Sequence, residues 1–177
     1  PAIPFITPAT HDTGSAVAAV PARGSGHIYL SSGTWSLMGI ESPEPIINET
    51  SRSLNFTNEG GVAGTFRVLR NIAGLWLVQE CRRTWELAGK EYTYAELTRM
   101  AAAAEPFRSI VDPDDSSFVK PGDMSARIRE FCVKTGQPVP EDDGAVVRCA
   151  LDSLAMRYRW VAEHLDKLTG KALSPIH

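Results

Sequence analysis

The feature that most constrains the fold is a change in the local sequence pattern near residue 71. Before this point, short apolar segments alternate with glycine- and proline-rich corners, a pattern typical of β-strands and tight turns. After it, several long segments carry no internal proline, which favours helices. The sequence therefore predicts a first part that forms strands and a second part that forms helices.

The predicted strands are short and are bounded by turn residues. Residues 27–30 and 35–40 are predicted to be two β segments with a Ser-Ser-Gly-Thr corner between them. A third β region, at about residues 54–69, is interrupted by glycines, which permit a tight bend or the close approach of a ligand to the backbone. The interrupting glycines are Gly60, Gly61 and Gly64.

The predicted helices lie in the second part, apart from a short apolar helix around residues 16–20 for which Thr10 is an acceptable N-cap. The stretch 111–122, which contains aspartates and two prolines, is predicted to be a solvent loop. Residues 1–8 carry three prolines and should be extended. The helices of the second part are predicted at residues 71–87, 94–104, 125–134 and 142–168.

The last of these helices has the clearest apolar stripe, which indicates a helix that packs on a core. Gly170 follows it as a predicted C-cap, and residues 174–177 are typical of the approach to another strand. We therefore expect the last strands of this domain beyond residue 177. The stripe consists of Val146, Ala150, Leu154, Tyr158, Val161, Leu165 and Leu168.

Composition narrows the possible partners. The chain has 177 residues, 43% of them hydrophobic, which is enough to bury a core. Its net charge is −3 and it has no basic block, a pattern that is not typical of proteins that bind nucleic acid or an anionic membrane. No apolar run approaches a membrane span, and we expect a cytoplasmic protein. Its partner is expected to be a small molecule or another protein.

The three cysteines are too few and too widely spaced for a disulfide framework or a zinc site. Buried free thiols are the default expectation. Cys132 and Cys149 flank a short connection between two predicted helices, so a bridge between them is geometrically possible, although a reducing cytosol disfavours it. The sequence leaves this pairing open.

An acid at a predicted helix start is the first candidate for chemistry. Asp12, between His11 and Thr13, either caps the helix or acts as a base that accepts a proton from an attacking hydroxyl. A histidine beside an aspartate is not a catalytic triad without a nucleophile, and the chain has no Gly-x-Ser-x-Gly elbow. A serine hydrolase is therefore a poor interpretation.

The Ser-Ser-Gly-Thr corner is the second candidate. Gly33 and Thr34 either form an ordinary hairpin corner or bind phosphate through backbone N–H groups and the threonine hydroxyl. The sequence has no lysine-bearing Walker motif, which excludes a P-loop. Together, an acid and a phosphate-binding turn suit phosphoryl transfer from a nucleotide.

Three further polar residues are weaker candidates. Gln79 would share a helical stripe with Ile72 and Leu75, which places one amide among apolar side chains. Asn71, at the expected start of that helix, is most simply an N-cap. Glu59 lies in what would ordinarily be a turn, and it is a second, weaker candidate for the acid.

Four segments of this sequence together resemble the FGGY family of carbohydrate kinases, and the likeness extends over nearly the whole chain. The segments are HDTGSAV at residues 11–17, YLSSGTWSLMG at 29–39, TNEGG at 57–61 and RVLRNIAGLWL at 67–77. The resemblance implies a ribonuclease H-like, actin-like ATPase domain with an α/β fold. It also implies a sugar kinase that uses ATP and Mg²⁺ and converts L-rhamnulose to L-rhamnulose 1-phosphate.

The resemblance also implies roles for particular residues. Asp12 matches the catalytic base, and His11 and Thr13 beside it line the sugar site. Asn71 matches another sugar-site residue. In the nucleotide site, Gly33 and Thr34 match the phosphate contact and Gln79 matches an ATP contact. No residue of this chain is matched to a metal ligand.

Such kinases have two domains with the active site in the cleft between them. The resemblance implies that residues 1–10 are an extended linker from an N-terminal domain and that residues 11–177 are part of a C-terminal domain. The N-terminal domain supplies much of the sugar pocket, and a Gly-Gly-Gly motif that holds the adenosine is expected beyond residue 177. The alternatives are an FGGY kinase for another ketose or polyol, or a non-catalytic actin-like binding module.

Overall fold

The computed structural model of the chain describes residues 3, 11–22, 26–173 and 176. These residues form two compact units. The sheet unit comprises the described residues of Pro1–Ser32, Ser36–Asn71 and Trp160–His177, and the helical unit comprises Gly33–Trp35 and Ile72–Arg159. No helix among the described residues is both long enough and apolar enough to cross a membrane. The predicted linker at residues 1–10 lies, except for Ile3, outside the described residues.

The sheet unit contains one four-stranded sheet in the order β1-β2-β4-β3. The first two strands pair antiparallel across the Ser-Ser-Gly-Thr corner, and the last two form an antiparallel hairpin. The predicted strands are therefore confirmed, with their outer boundaries shifted by one to three residues. The strands are β1 Tyr29–Ser32, β2 Ser36–Ser42, β3 Thr57–Gly60 and β4 Phe66–Ile72.

The predicted bend in the third β region is the turn between β3 and β4. Gly64 has a φ of +79°, which a glycine adopts without steric cost. A Cβ on Gly61 would lie 2.4 Å from the Thr65 hydroxyl oxygen, so this position also requires the absence of a side chain. The glycines thus allow the chain to reverse between two strands.

Helices lie against both faces of this sheet. Helix α1 (Asp12–Ala18) places Val17 against Tyr29 and Leu69 on one face. On the other face, the Arg70 guanidinium lies 5.2 Å from the ring centre of Trp160, in the last part of the longest helix. Because side chains alternate along a strand, Arg67, Leu69 and Asn71 of β4 share the face that α1 covers.

Helix α2 (Glu49–Ser53) was not predicted from the sequence. The Ser51 N–H donates to the Asn48 side chain over 2.8 Å, and the Asn48 N–H donates to the Ser51 hydroxyl over 3.0 Å. This reciprocal capping box stabilises a helix of five residues that is too short to show a hydrophobic period. The Asn-x-x-Ser spacing is the one signal that could have revealed it.

The helical unit confirms the predicted second part. Its core combines buried residues from all four helices, including Leu77, Leu97, Ile128 and Val146. The first helix begins five residues later than predicted, because residues up to Ile72 belong to β4. The helices are α3 Trp76–Leu87, α4 Tyr94–Ala103, α5 Met124–Lys134 and α6 Asp143–Thr169, of which α6 continues into the sheet unit.

The long helix α6 has the predicted stripe and the predicted end. The Asp142 carboxylate accepts the Ala145 N–H over 2.8 Å at its start, and Gly170 after its last turn has a φ of +65°. Ile176 forms an isolated parallel bridge with Ile28. The stripe residues Val146, Ala150, Leu154, Val161 and Leu165 are buried.

The prediction of a solvent loop at residues 111–122 is correct for only about half of the stretch, since Asp112, Ser116, Ser117 and residues 119–121 are exposed. Val111 and Phe118 are buried in the core of the helical unit, and Ser116–Phe118 form a short 3-10 helix. Asp112 and Asp114 form ion pairs with Arg157, and Asp114 also accepts the Ala73 N–H, whereas Asp115 caps the 3-10 helix within the loop. This loop is therefore a structural part of the helical unit.

Candidate active site

The first candidate group lies at the start of α1. His11 is the N-cap of this helix, and its Nδ1 accepts the Thr13 N–H over 3.3 Å. Asp12 is the first residue of the helix, and its Oδ1 accepts the same N–H over 2.7 Å. His11 therefore occupies the N-cap position, and the Asp12 carboxylate also accepts a first-turn N–H, as the capping interpretation of Asp12 predicted. The expected cap, Thr10, lies outside the described residues.

The Asp12 carboxylate is accessible. Its side chain is 94% exposed, and its Oδ1 lies 3.1 Å from Nδ1 of His11. Thr13, by contrast, is buried, so the backbone at this helix start is anchored while the acid projects. A carboxylate on a fixed backbone can accept a proton from a hydroxyl that is brought to it.

Asn71 is the second candidate in the sheet unit. It lies near the end of β4 and is exposed, so the sequence-based prediction that it caps a helix is wrong. The cap position of α3 belongs to Leu75. Asn71 shares the sheet face that α1 covers, where Leu69 contacts Val17. The candidate sugar-site residues His11, Asp12, Thr13 and Asn71 thus belong to the same unit and the same side of its sheet.

The candidate nucleotide residues belong to the helical unit. The Gly33 N–H donates to the Trp35 carbonyl over 3.1 Å, which closes a tight turn with Thr34 exposed at its tip. The Gly33 carbonyl accepts the Leu75 N–H over 2.9 Å, and the Thr34 carbonyl accepts the Trp76 N–H over 3.0 Å. The turn is therefore fixed at the start of α3. We call residues 33–35 the phosphate turn.

The start of α3 favours an anion. No side chain caps this helix of 12 residues; the Trp76 N–H of its first turn donates to the Thr34 carbonyl, so another acceptor could use only the first-turn N–H groups that follow it. The positive end of the helix dipole adds to their attraction for negative charge. Gln79 is half-buried one turn into α3, where its N–H donates to the Leu75 carbonyl over 2.9 Å. Thr34 and Gln79 are thus placed on elements joined by hydrogen bonds.

Glu59 has a different role from the one that the sequence allowed. Its Oε2 lies 2.9 Å from Nη2 of Arg67, directly across the β3–β4 pair. Arg67 is only 2% exposed, and its Nε donates to the Gly60 carbonyl. Removing one partner from such an ion pair would leave a buried charge uncompensated. Glu59 therefore stabilises the hairpin, which leaves Asp12 as the better candidate for the base.

The three cysteines are free thiols and all are buried, as expected from the sequence. Burial raises the pKa of Cys149 to about 12, and it also raises the pKa values of Cys81 and Cys132. Thiols held in this protonated form are poor nucleophiles. They are structural residues of the helical core.

Among the described residues, no group of three or more histidine, cysteine, aspartate or glutamate residues is arranged to hold a metal ion. Mg²⁺ in nucleotide enzymes is usually bound by one or two carboxylates together with substrate phosphates and water. The described residues therefore do not supply a magnesium cage of their own.

Comparisons with known proteins connect these features to a protein class. The chain is similar in structure to the xylulose kinase from Bifidobacterium adolescentis, with a TM-score of 0.56 and 17% identity over 87% of this chain and 29% of that one. At this identity the likeness shows the fold, which is the ribonuclease H-like, actin-like ATPase fold. Residues 28–177 match the model of the FGGY family of carbohydrate kinases, C-terminal domain.

The chain belongs to the FGGY family of carbohydrate kinases. It is also 53% identical over 176 residues to the rhamnulokinase of Bacteroides thetaiotaomicron, an alignment that covers 99% of the chain. The chain spans 36% of the length of that relative. The family-model match begins after α1, whereas the alignment with the Bacteroides protein includes almost every residue.

Proposed function

We propose that this chain is part of a two-domain kinase that transfers the γ-phosphoryl group of ATP to L-rhamnulose and forms L-rhamnulose 1-phosphate. The single observation that carries the proposal is the 53% identity over 176 residues to a rhamnulokinase. We propose that the remaining part of the enzyme includes an N-terminal domain that supplies much of the sugar pocket. The free thiols of the helical core are compatible with a cytoplasmic location, which we include in the proposal.

In this proposal, Asp12 is the general base. The 1-hydroxyl of the sugar loses its proton to the Asp12 carboxylate as its oxygen attacks the γ-phosphorus, and ADP leaves. The exposed carboxylate beside the anchored Thr13 backbone suits this role. His11, Thr13 and Asn71 would contact the sugar hydroxyls from the same side of the sheet. Positioning of this kind provides most of the catalysis in phosphoryl transfer.

The helical unit would hold the nucleotide. Gly33 and Thr34 of the phosphate turn would contact the phosphates, at the positive end of the α3 helix dipole. Gln79 would contact ATP from the first turns of that helix. When bound, Mg²⁺ would neutralise part of the negative charge of the phosphates. We expect its ligands to be mainly phosphate oxygens and water.

The experiment that tests the proposal is Asp12→Asn in the complete enzyme, assayed with L-rhamnulose and ATP. Loss of a positioned base should lower kcat by about two to four orders of magnitude while sugar binding is largely kept. Glu49→Gln is the matched control, because Glu49 is also an exposed acid in the first turn of a helix of the sheet unit, and it should leave kcat unchanged.

Three results would contradict the proposal. Turnover of the Asp12 variant within a few-fold of the parent enzyme would remove Asp12 from the role of base. If the parent enzyme phosphorylates another ketose or polyol in preference to L-rhamnulose, the proposed substrate is wrong. A parent enzyme that binds sugar or nucleotide but phosphorylates nothing would indicate a non-catalytic binding module.

A further inference from the structure

The loop between α4 and α5 contacts the segment that leads from β4 into α3. The Asp114 Oδ1 accepts the Ala73 N–H over 3.0 Å, and the Phe118 carbonyl accepts the indole N–H of Trp76 over 2.9 Å. We call residues 112–118 the aspartate loop and residues 73–76 the junction. The aspartate loop therefore holds the junction at both of its ends.

The junction in turn holds the phosphate turn. Its last two residues, Leu75 and Trp76, donate their backbone N–H groups to the carbonyls of Gly33 and Thr34 over 2.9 and 3.0 Å. Gly33 and Thr34 are thus hydrogen-bonded to the junction, which is itself hydrogen-bonded to the aspartate loop. The support passes through four hydrogen bonds, all within the helical unit.

Arg157 of α6 fixes the aspartate loop. Its Nε and Nη2 donate to Oδ2 of Asp114 over 2.8 and 2.6 Å, and Nη2 also lies 3.1 Å from Oδ1 of Asp112. The side chains of Arg157 and Asp114 are only 14% and 19% exposed, so water competes weakly with this pair. The two oxygens of Asp114 divide their roles, because Oδ2 accepts from Arg157 and Oδ1 accepts from Ala73.

We propose that Asp114 and Arg157 are positioning residues for the nucleotide phosphates, acting through the junction on the phosphate turn. The inference rests on the proposed function in so far as the phosphate turn binds ATP. The physical reason is that backbone N–H groups and the Thr34 hydroxyl bind phosphate well only when their geometry is fixed in advance. Asp114 forms a charged and largely buried pair with Arg157 of the long helix α6, and this pair supplies that rigidity.

The test compares nucleotide binding with sugar turnover in the complete enzyme. We expect Asp114→Ala to raise the Kd for the non-hydrolysable analogue AMP-PNP, measured by calorimetry, about tenfold. The KM for L-rhamnulose should stay within about twofold of the parent value. Asp114→Asn keeps a carbonyl acceptor for the Ala73 N–H and should restore part of the affinity.

Asp152→Ala is the matched control. Asp152 also pairs with an arginine of α6, since its oxygens lie 2.8 and 2.9 Å from Nε of Arg148, and it also accepts a backbone N–H, that of Phe107, over 2.7 Å. It is hydrogen-bonded to a different loop and not to the junction. We expect this control to lower the melting temperature as much as Asp114→Ala does, without changing the Kd for AMP-PNP.

Several outcomes would overturn the inference. An unchanged Kd for AMP-PNP in Asp114→Ala, or an equal rise in the Asp152 control, would show that Asp114 and Arg157 only contribute to the general stability of the fold. Should Asp114→Ala fail to fold, Arg157→Lys decides, because it keeps the charge but loses the planar two-donor geometry and should also raise the Kd. A parent enzyme that binds AMP-PNP but does not phosphorylate L-rhamnulose would refute the proposed function, and the calorimetric comparison would still decide this inference.

Discussion

Replacing Gly39 by alanine provides a sharp test of the sheet that supports the candidate acid. Gly39 lies in β2, opposite Tyr29 of β1, at a place where β2 and β4 are neighbours. A Cβ built on Gly39 would lie 2.3 Å from the Val68 carbonyl oxygen and 2.6 Å from the Leu69 Cβ. The closest atom belongs to the backbone of a central strand, so no side-chain rotation could relieve the contact.

The cost follows from these distances. Ordinary van der Waals contact begins at 3.4 Å, so β4 would have to move by about 1 Å relative to β2. Overpacking of this kind costs about 1–3 kcal/mol, and weakened hydrogen bonds between the strands add about 1 kcal/mol each. We therefore expect Gly39→Ala to lower the free energy of unfolding by about 3 kcal/mol or more. For a protein of this size that corresponds to a fall in Tm of about 6–12 °C.

Gly60→Ala is the matched control for this prediction. Gly60 also lies in a strand of the sheet, but a Cβ there would meet no atom within 4 Å. We expect its Tm to stay the same or to rise slightly, because alanine reduces the entropy of the unfolded chain. Thermal unfolding followed by circular dichroism compares the two variants. Equal melting temperatures for the two variants would refute the close approach of β2 and β4.

Three further predictions concern the helical unit. Thr34→Val should weaken nucleotide binding by about 1–3 kcal/mol and leave sugar binding unchanged, and equal losses in calorimetry would indicate a folding defect instead. The hydrogen bonds from Arg83 lower the pKa of Glu80 below its ordinary value of 4.5, so Glu80 contributes stability above that pH which is lost as the pH falls through the folded pKa. Urea unfolding at a series of pH values should therefore show a lower free energy of unfolding for Glu80→Gln, with a smaller loss of stability than the parent shows as the pH falls. A pH dependence of stability parallel to that of the parent would contradict this. Cys149, with a pKa raised to about 12 by burial, should resist iodoacetamide at about pH 8 until the protein is unfolded, and rapid modification of the native protein would show that the thiol is accessible.

The sequence by itself determined the elements whose signals are local. The strands on either side of the Ser-Ser-Gly-Thr corner, the hairpin bend at Gly64 and the long helix that ends before Gly170 were all predicted. Each depends on the period of its apolar residues or on one glycine, and these properties act within a few residues. The family was also apparent from four short segments, because each segment keeps its residue types at fixed spacing.

Only the tertiary structure decided what depends on partners far along the chain. Asn71 could have capped a helix, but pairing within the sheet extends β4 past it, and α3 then begins at Trp76. Asp114 and Asp112 looked like residues of a solvent loop until Arg157, more than forty residues away, was placed beside them. Glu59 changed from a candidate acid to a partner of the buried Arg67 for the same reason. Spacing along the chain cannot show which charge meets which, because those pairings are set by how the helices and strands pack.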